Sequence, residues 1–137
     1  MYRKLAILLV VILPLGGCAA LQNIETAVSV ATVSVANPVT KERLNQLENV
    51  AILVFSGLNG WRQACISGAI PSSCKGQIAA VQVYTRKIPP YLTQLRAFVN
   101  SNDQINAVTV YNNVMGLITT VKAQAASNGV TISTTGS

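Results

Sequence analysis

The side chains most used for proton transfer and metal binding are scarce in this chain. Among 137 residues there is no histidine, and the carboxylates are Glu25, Glu42, Glu48 and Asp103. Histidine is the usual general base near neutral pH and the commonest metal ligand, so its absence removes both roles. A hydrolase built on two carboxylates needs them on either side of one bond. Here Glu42 and Asp103 stand where first turns of helices are expected, Glu48 follows core Leu47 on a helix flank, and Glu25 lies toward the amino terminus. No Gly-x-Ser-x-Gly elbow presents a serine, and Gly57, Gly60 and Gly68 lack the spacing and the lysine of a phosphate loop. The chain reads as a non-enzyme, with no catalytic residue, no metal site and no diffusible cofactor expected. Chemistry is left to three thiols: Cys18, Cys65 and Cys74.

Cys18 ends a patterned segment. Arg3 and Lys4 precede an apolar run from Leu5 to Leu13, Pro14 closes the run, and Leu15, Gly16 and Gly17 lead into the cysteine. The run is too short for a permanent membrane span, which needs roughly 20 residues. Its basic, apolar, small-residue order is that of a secretory signal. Leu15-Gly16-Gly17-Cys18 resembles the lipobox of bacterial lipoproteins, departing from it at Gly16, where alanine, serine or a β-branched residue is more usual. The resemblance implies that residues 1–17 are a signal peptide, recognised through Leu15, Gly16 and Gly17 and cleaved before Cys18. It further implies a diacylglyceryl group on the Cys18 sulfur and an acyl chain such as palmitate on its amine. That exceeds the two signals that stable anchoring takes. Ala19, rather than aspartate, follows Cys18, which implies sorting to the periplasmic face of the outer membrane.

With Cys18 given to lipid, Cys65 and Cys74 are left as an even remainder, expected to pair in an oxidising compartment. A zinc site is the weaker reading, because no histidine and no further cysteine is left to complete four ligands. The net charge is +6, and removing Arg3 and Lys4 with the signal lowers it to +4. The remaining basic residues are scattered, with only Arg86 and Lys87 adjacent, which describes a solvated surface more than a nucleic-acid footprint.

The elements that would position these residues are helical. Ile24, Val28, Ala31 and Val35 suit one helical stripe, although the valines suit a strand as well; residues 18–39 are read as the lipidated end with a short helix or tether, broken at Asn37-Pro38. Thr40 is a good N-cap, with Glu42 in the first turn and Val39 placed to staple onto Leu44. From there Leu44, Leu47, Ala51, Val54, Leu58, Trp61 and Cys65 keep one phase, predicting a helix over 41–67. Ile52 and Phe55 add a second apolar face, and Gly57 and Gly60 suggest close approach of a neighbouring helix. A turn over 67–73 precedes a helix over 73–88, in which Cys74, Ile78, Val81, Thr85 and Ile88 share a stripe. Both cysteines then face the core across the neck of a helical hairpin.

Pro89-Pro90 predicts a kink or a proline-started helix carrying Tyr91, Leu92, Leu95, Phe98 and Val99. Ser101 and Gln104 have capping-box spacing before a last helix to Ser127. Its heptad is Val108, Tyr111, Met115, Ile118 and Ala125, widened by Val110, Val114, Leu117 and Val121. Asn128-Gly129 stops it, and 129–137 reads as a flexible tail. The sum is an all-α fold: a small antiparallel bundle of three to four helices over 40–128, with one hairpin stapled by a disulfide.

Trp61 lies on the core stripe beside Cys65, which predicts a buried ring. Trp61, Tyr84, Tyr91 and Tyr111 are also the candidate lining of a partner groove around Pro89-Pro90, with Thr85 and Asn112 as polar groups facing inward. Two roles follow as expectations. One is a lipid-anchored, non-enzymatic adaptor for an envelope protein. The other is a structural or membrane-active envelope lipoprotein, cellular or phage-encoded, that oligomerises or packs on the bilayer.

Overall fold

A computed structural model describes residues 33–34 and 36–135. The signal segment, Leu15, Gly16, Gly17 and Cys18, and the stripe of Ile24, Val28 and Ala31 lie outside the described residues. Within them the fold is all-α, with helices α1 (Lys41–Ile66), α2 (Cys74–Thr85), α3 (Ile88–Asn100) and α4 (Gln104–Ser127). α1 runs out, α2 and α3 together form the return arm, and α4 packs along both of them and along α1. Four helices thus make three rods, each burying one stripe against the other two.

The chain enters through a tight turn. Ser34 and Asn37 exchange backbone hydrogen bonds of 3.1 and 2.9 Å, while Val35 lies outside the described residues with the rest of its stripe. Pro38 separates this turn from α1, as the residue before proline is pushed toward extended geometry. Thr40 caps α1 by accepting from the Arg43 amide at 3.2 Å, and Val39 and Leu44 on either side are both buried. The α1 stripe is Leu44, Leu47, Ala51, Val54, Trp61 and Cys65, with Leu58 half-buried. The second apolar face is covered only in part: Phe55 is half-buried but Ile52 is 62% exposed, because a three-rod bundle leaves the outer face of each rod to water.

Three turns share one device. At the end of α1 the Ala69 amide donates to Ala64 O and the Gly68 amide to Cys65 O, with Gly68 at φ 75°. After α3 the Asp103 amide donates to Phe98 O and the Asn102 amide to Val99 O, with Asn102 at φ 57°. After α4 the Val130 amide donates to Ala125 O and the Gly129 amide to Ala126 O, with Gly129 at φ 75°. Each is a Schellman motif, in which a left-handed residue turns the chain back over the last carbonyls. The middle one displaces the expected capping box. Turning at Asn102 makes Asp103 the N-cap of α4, accepting from the Asn106 amide at 3.3 Å, while Ser101 bonds back to Phe98 O.

Cys65 and Cys74 form a disulfide with Cα atoms 5.9 Å apart, across the neck of the α1–α2 turn. α2 is shorter than the predicted 73–88 helix. It ends at Thr85, the chain turns through Arg86 and Lys87, and α3 restarts with Pro89 and Pro90 in its first turn, where missing amide donors cost nothing. In α4 the buried line is Ala107, Val110, Tyr111, Val114, Ile118, Val121 and Ala125. Val108 and Met115 are only half-buried, so the inward face is rotated from the predicted heptad. Asn112 is exposed rather than inward-facing. Thr85 is buried, and its hydroxyl donates to Gln82 O at 3.2 Å.

Residues 130–135 do not behave as a free tail. Val130 is half-buried and Ile132 is 3% exposed.

Candidate functional site

Trp61 and Tyr111 are interior residues, at 5% and 3% exposure, so neither lines an open groove. Burial raises the Tyr111 hydroxyl pKa above the ordinary phenol value, and the positive charge of Arg43 offsets part of that rise. Tyr84 lies in the last turn of α2 and Tyr91 in the first turn of α3, both half-buried at the proline corner. The four aromatic residues therefore divide into two that fill the core and two on its margin.

At the end of the bundle where the chain enters, Gln104 holds Val39 from both sides. Its Oε1 accepts from the Val39 amide at 2.9 Å, and its Nε2 donates to Val39 O at 3.3 Å. The side chain imitates a strand partner and satisfies backbone groups that burial of Val39 would otherwise strand. Arg43 Nη1 adds bonds to Asn37 O and Pro38 O at 3.2 and 3.4 Å. Pro38, Val39, Lys41, Val99, Asn102 and Gln104 border an open depression of about 310 Å³ at this end. It is a broad dish without a charged group buried in it.

A second feature lies between α1 and α4. These two helices share a shorter seam than α3 and α4 do. Turned back by the Gly129 motif, the tail lies along this seam. Ile132 Cγ2 stands 3.0 Å from where a Cβ on Gly57 would be. Any side chain at that position meets Ile132, so glycine here makes room for an extended segment rather than for a helix. Gly60, one turn on, has open space around it. Lys122 on α4 donates from Nζ to the Thr134 hydroxyl at 3.0 Å, and partial burial lowers its pKa below the usual ammonium value. Sequence reasoning missed this site because Val130-Thr131-Ile132-Ser133 is short and uncharged. The usable signal was Gly57, a residue of low helix propensity one position before Leu58 of the apolar stripe.

Glu48, the carboxylate on the α1 flank, is paired with Arg96 of α3. Among the described residues no three His, Cys, Asp or Glu side chains converge as metal ligands. Comparison with protein-family models, with curated proteins and with solved structures returned no match.

Proposed function

We propose that this chain is a lipid-anchored protein of the bacterial envelope, whose helical domain serves as a non-enzymatic accessory or adaptor for an envelope protein. The carrying observation is the Cys65–Cys74 disulfide. Disulfides persist where the surroundings are oxidising, and this one uses both cysteines left over when Cys18 receives lipid. The lipobox-like Leu15-Gly16-Gly17-Cys18 and the disulfide thus support the same compartment by unrelated chemistry. The periplasmic face of the outer membrane is the favoured location, from Ala19 after Cys18.

Mass spectrometry of the mature amino terminus tests the anchor. The expected species begins at Cys18 and carries diacylglyceryl and amide-linked acyl groups, and Cys18→Ser should accumulate unprocessed or leave the membrane. Normal processing and retention of that variant would reject the anchor. Crosslinking in intact cells tests the adaptor role: one envelope protein should be recovered repeatedly, and recovery of lipid alone rejects it.

A structural role on the bilayer is the second reading. Ile52, Ile66, Val83 and Ile105 favour it, being large apolar side chains exposed to water. They are spread over α1, α2 and α4, and no helix among the described residues is long and apolar enough to cross a membrane. Leakage from liposomes on addition of the chain would favour this reading over the adaptor.

A further inference from the structure

We infer that the seam between α1 and α4 is a binding groove for an extended segment of a partner protein, and that residues 130–135 occupy it as a resident latch. The tail itself shows what the groove accepts. A β-branched aliphatic residue enters over Gly57, and a hydroxyl two positions on meets Lys122. The tail is lightly held: beyond the Val130–Ala125 bond, residues 131–135 make no backbone–backbone hydrogen bond among the described residues. What retains it is one apolar plug and the Lys122–Thr134 contact. Gly129, at φ 75°, supplies a turn from which the strap can swing without disturbing α4.

Lys122 identifies a better occupant than the tail. Its ammonium is partly withdrawn from water, and no carboxylate among the described residues lies within ion-pair distance of it. Its partner is the neutral Thr134 hydroxyl. A charge-assisted bond to a carboxylate is stronger than one to a neutral oxygen. The groove therefore selects an extended segment with isoleucine or valine at the Gly57 position and aspartate or glutamate two residues later. Such a segment displaces the tail, which keeps the apolar seam covered until it arrives.

The test uses the full chain in detergent micelles and two labelled hexapeptides, Val-Thr-Ile-Ser-Thr-Thr and Val-Thr-Ile-Ser-Glu-Thr. The Ile132→Ser chain, its latch weakened, should bind the glutamate peptide roughly fivefold to tenfold more tightly than the native-sequence peptide. Wild type should bind both more weakly than Ile132→Ser does, because its own tail competes at high effective concentration. Lys122→Gln in the Ile132→Ser background should erase the preference for glutamate. Equal binding of the two peptides, no binding of either, or indifference to Ile132 overturns the proposal. A doubled mass of the wild-type chain overturns it too, since the groove then takes the tail of a second copy.

A measurement without substitution guards against misfolding. In wild type, excess glutamate peptide should move the Ile132 methyl resonances, buried in the free chain, to solvent-exposed values and leave those of Val121 unchanged. Ile132 methyls that become exposed only when α4 unfolds would show that the strap is fixed structure. The inference rests on the adaptor reading, yet the two fail separately. Lost peptide binding removes the groove even if crosslinking captures a partner, whereas an empty crosslinking experiment removes the adaptor even if peptides bind.

Discussion

The α1–α2 and α3–α4 hairpins leave their first helices alike, through residues at positive φ, Gly68 and Asn102, that fold the chain back over the last carbonyls. They are fastened differently. α3 and α4 share the most extensive helix interface in the bundle, with Ile88, Leu95 and Val99 buried from α3 and the long line from Ala107 to Ala125 buried from α4. α2 has only 12 residues and four buried side chains, Cys74, Ile78, Val81 and Thr85, one of them polar. A helix of that length is marginal by itself. The covalent staple stands on the hairpin with the smaller helix interface, and the hairpin with the larger one does without it. In a small domain a disulfide and buried area substitute for each other.

The largest expected effect tests the packed hairpin. Leu95 is wholly buried, and Leu95→Ala should cost about 3 kcal/mol from lost burial and the cavity left behind. Denaturant unfolding would read this as a lower midpoint at unchanged slope. A cost under about 1 kcal/mol would mean that the α3–α4 interface relaxes around the gap, and the comparison would lose its firmer side.

Removing the staple comes next. The loop closed by Cys65 and Cys74 spans a sequence separation of 9, so chain entropy sets its contribution at roughly 2–3 kcal/mol. The double substitution Cys65→Ser with Cys74→Ser should lower stability by that amount, and α2 amides should lose protection before those of α3. Loss of protection spread evenly over all four helices would show that the bundle unfolds as one unit and that the staple serves it as a whole.

The turns allow a finer comparison, because Asn102 does with a side chain what Gly68 does without one. Asn102→Gly should be neutral or slightly stabilising, and Asn102→Ala should cost about 1 kcal/mol, since alanine tolerates positive φ poorly. Gly68→Ala should cost a similar amount, with open space around the new methyl leaving backbone conformation as the only source of the effect. Thermal melts of the three variants would check this. Asn102→Ala without cost would indicate that the α3–α4 turn tolerates another conformation.

How much of this was legible follows from the range of each interaction. The Thr40 cap, the Val39–Leu44 pair, the buried Trp61 and the stop at Asn128-Gly129 are local, and neighbouring residues declare them. The cysteine pairing was legible because both thiols fall on core stripes. The inward face of α4 was not: valines, leucine and methionine cover so wide an arc that Val108 and Val110 fit equally well until α3 selects one. Gln104 was read as half of a local capping box, yet it clamps Val39 at a sequence separation of 65. Ile132 was read into a free tail because nothing nearby in sequence indicates that Gly57 leaves room for it. Long-range partners decide such residues, and one chain's periodicity does not contain them.

The smallest effect concerns the one ion pair among the described residues, Arg96 with Glu48, which joins α3 to α1 and so links the two hairpins. Its position suggests a strut, but the Arg96 side chain is 56% exposed and the Glu48 side chain 25%. Exposed pairs gain little, because water screens the charges and two long side chains must be ordered. A double-mutant cycle with Glu48→Gln and Arg96→Gln should give a coupling of about 0.5 kcal/mol or less, vanishing in about 1 M salt, where screening acts over roughly 3 Å. A coupling of about 2 kcal/mol that survives salt would mean that a desolvated bridge fastens the hairpins to each other. The disulfide and the α3–α4 interface would then share their work with a third contact, and the contrast between stapled and packed hairpins would have to be redrawn around it.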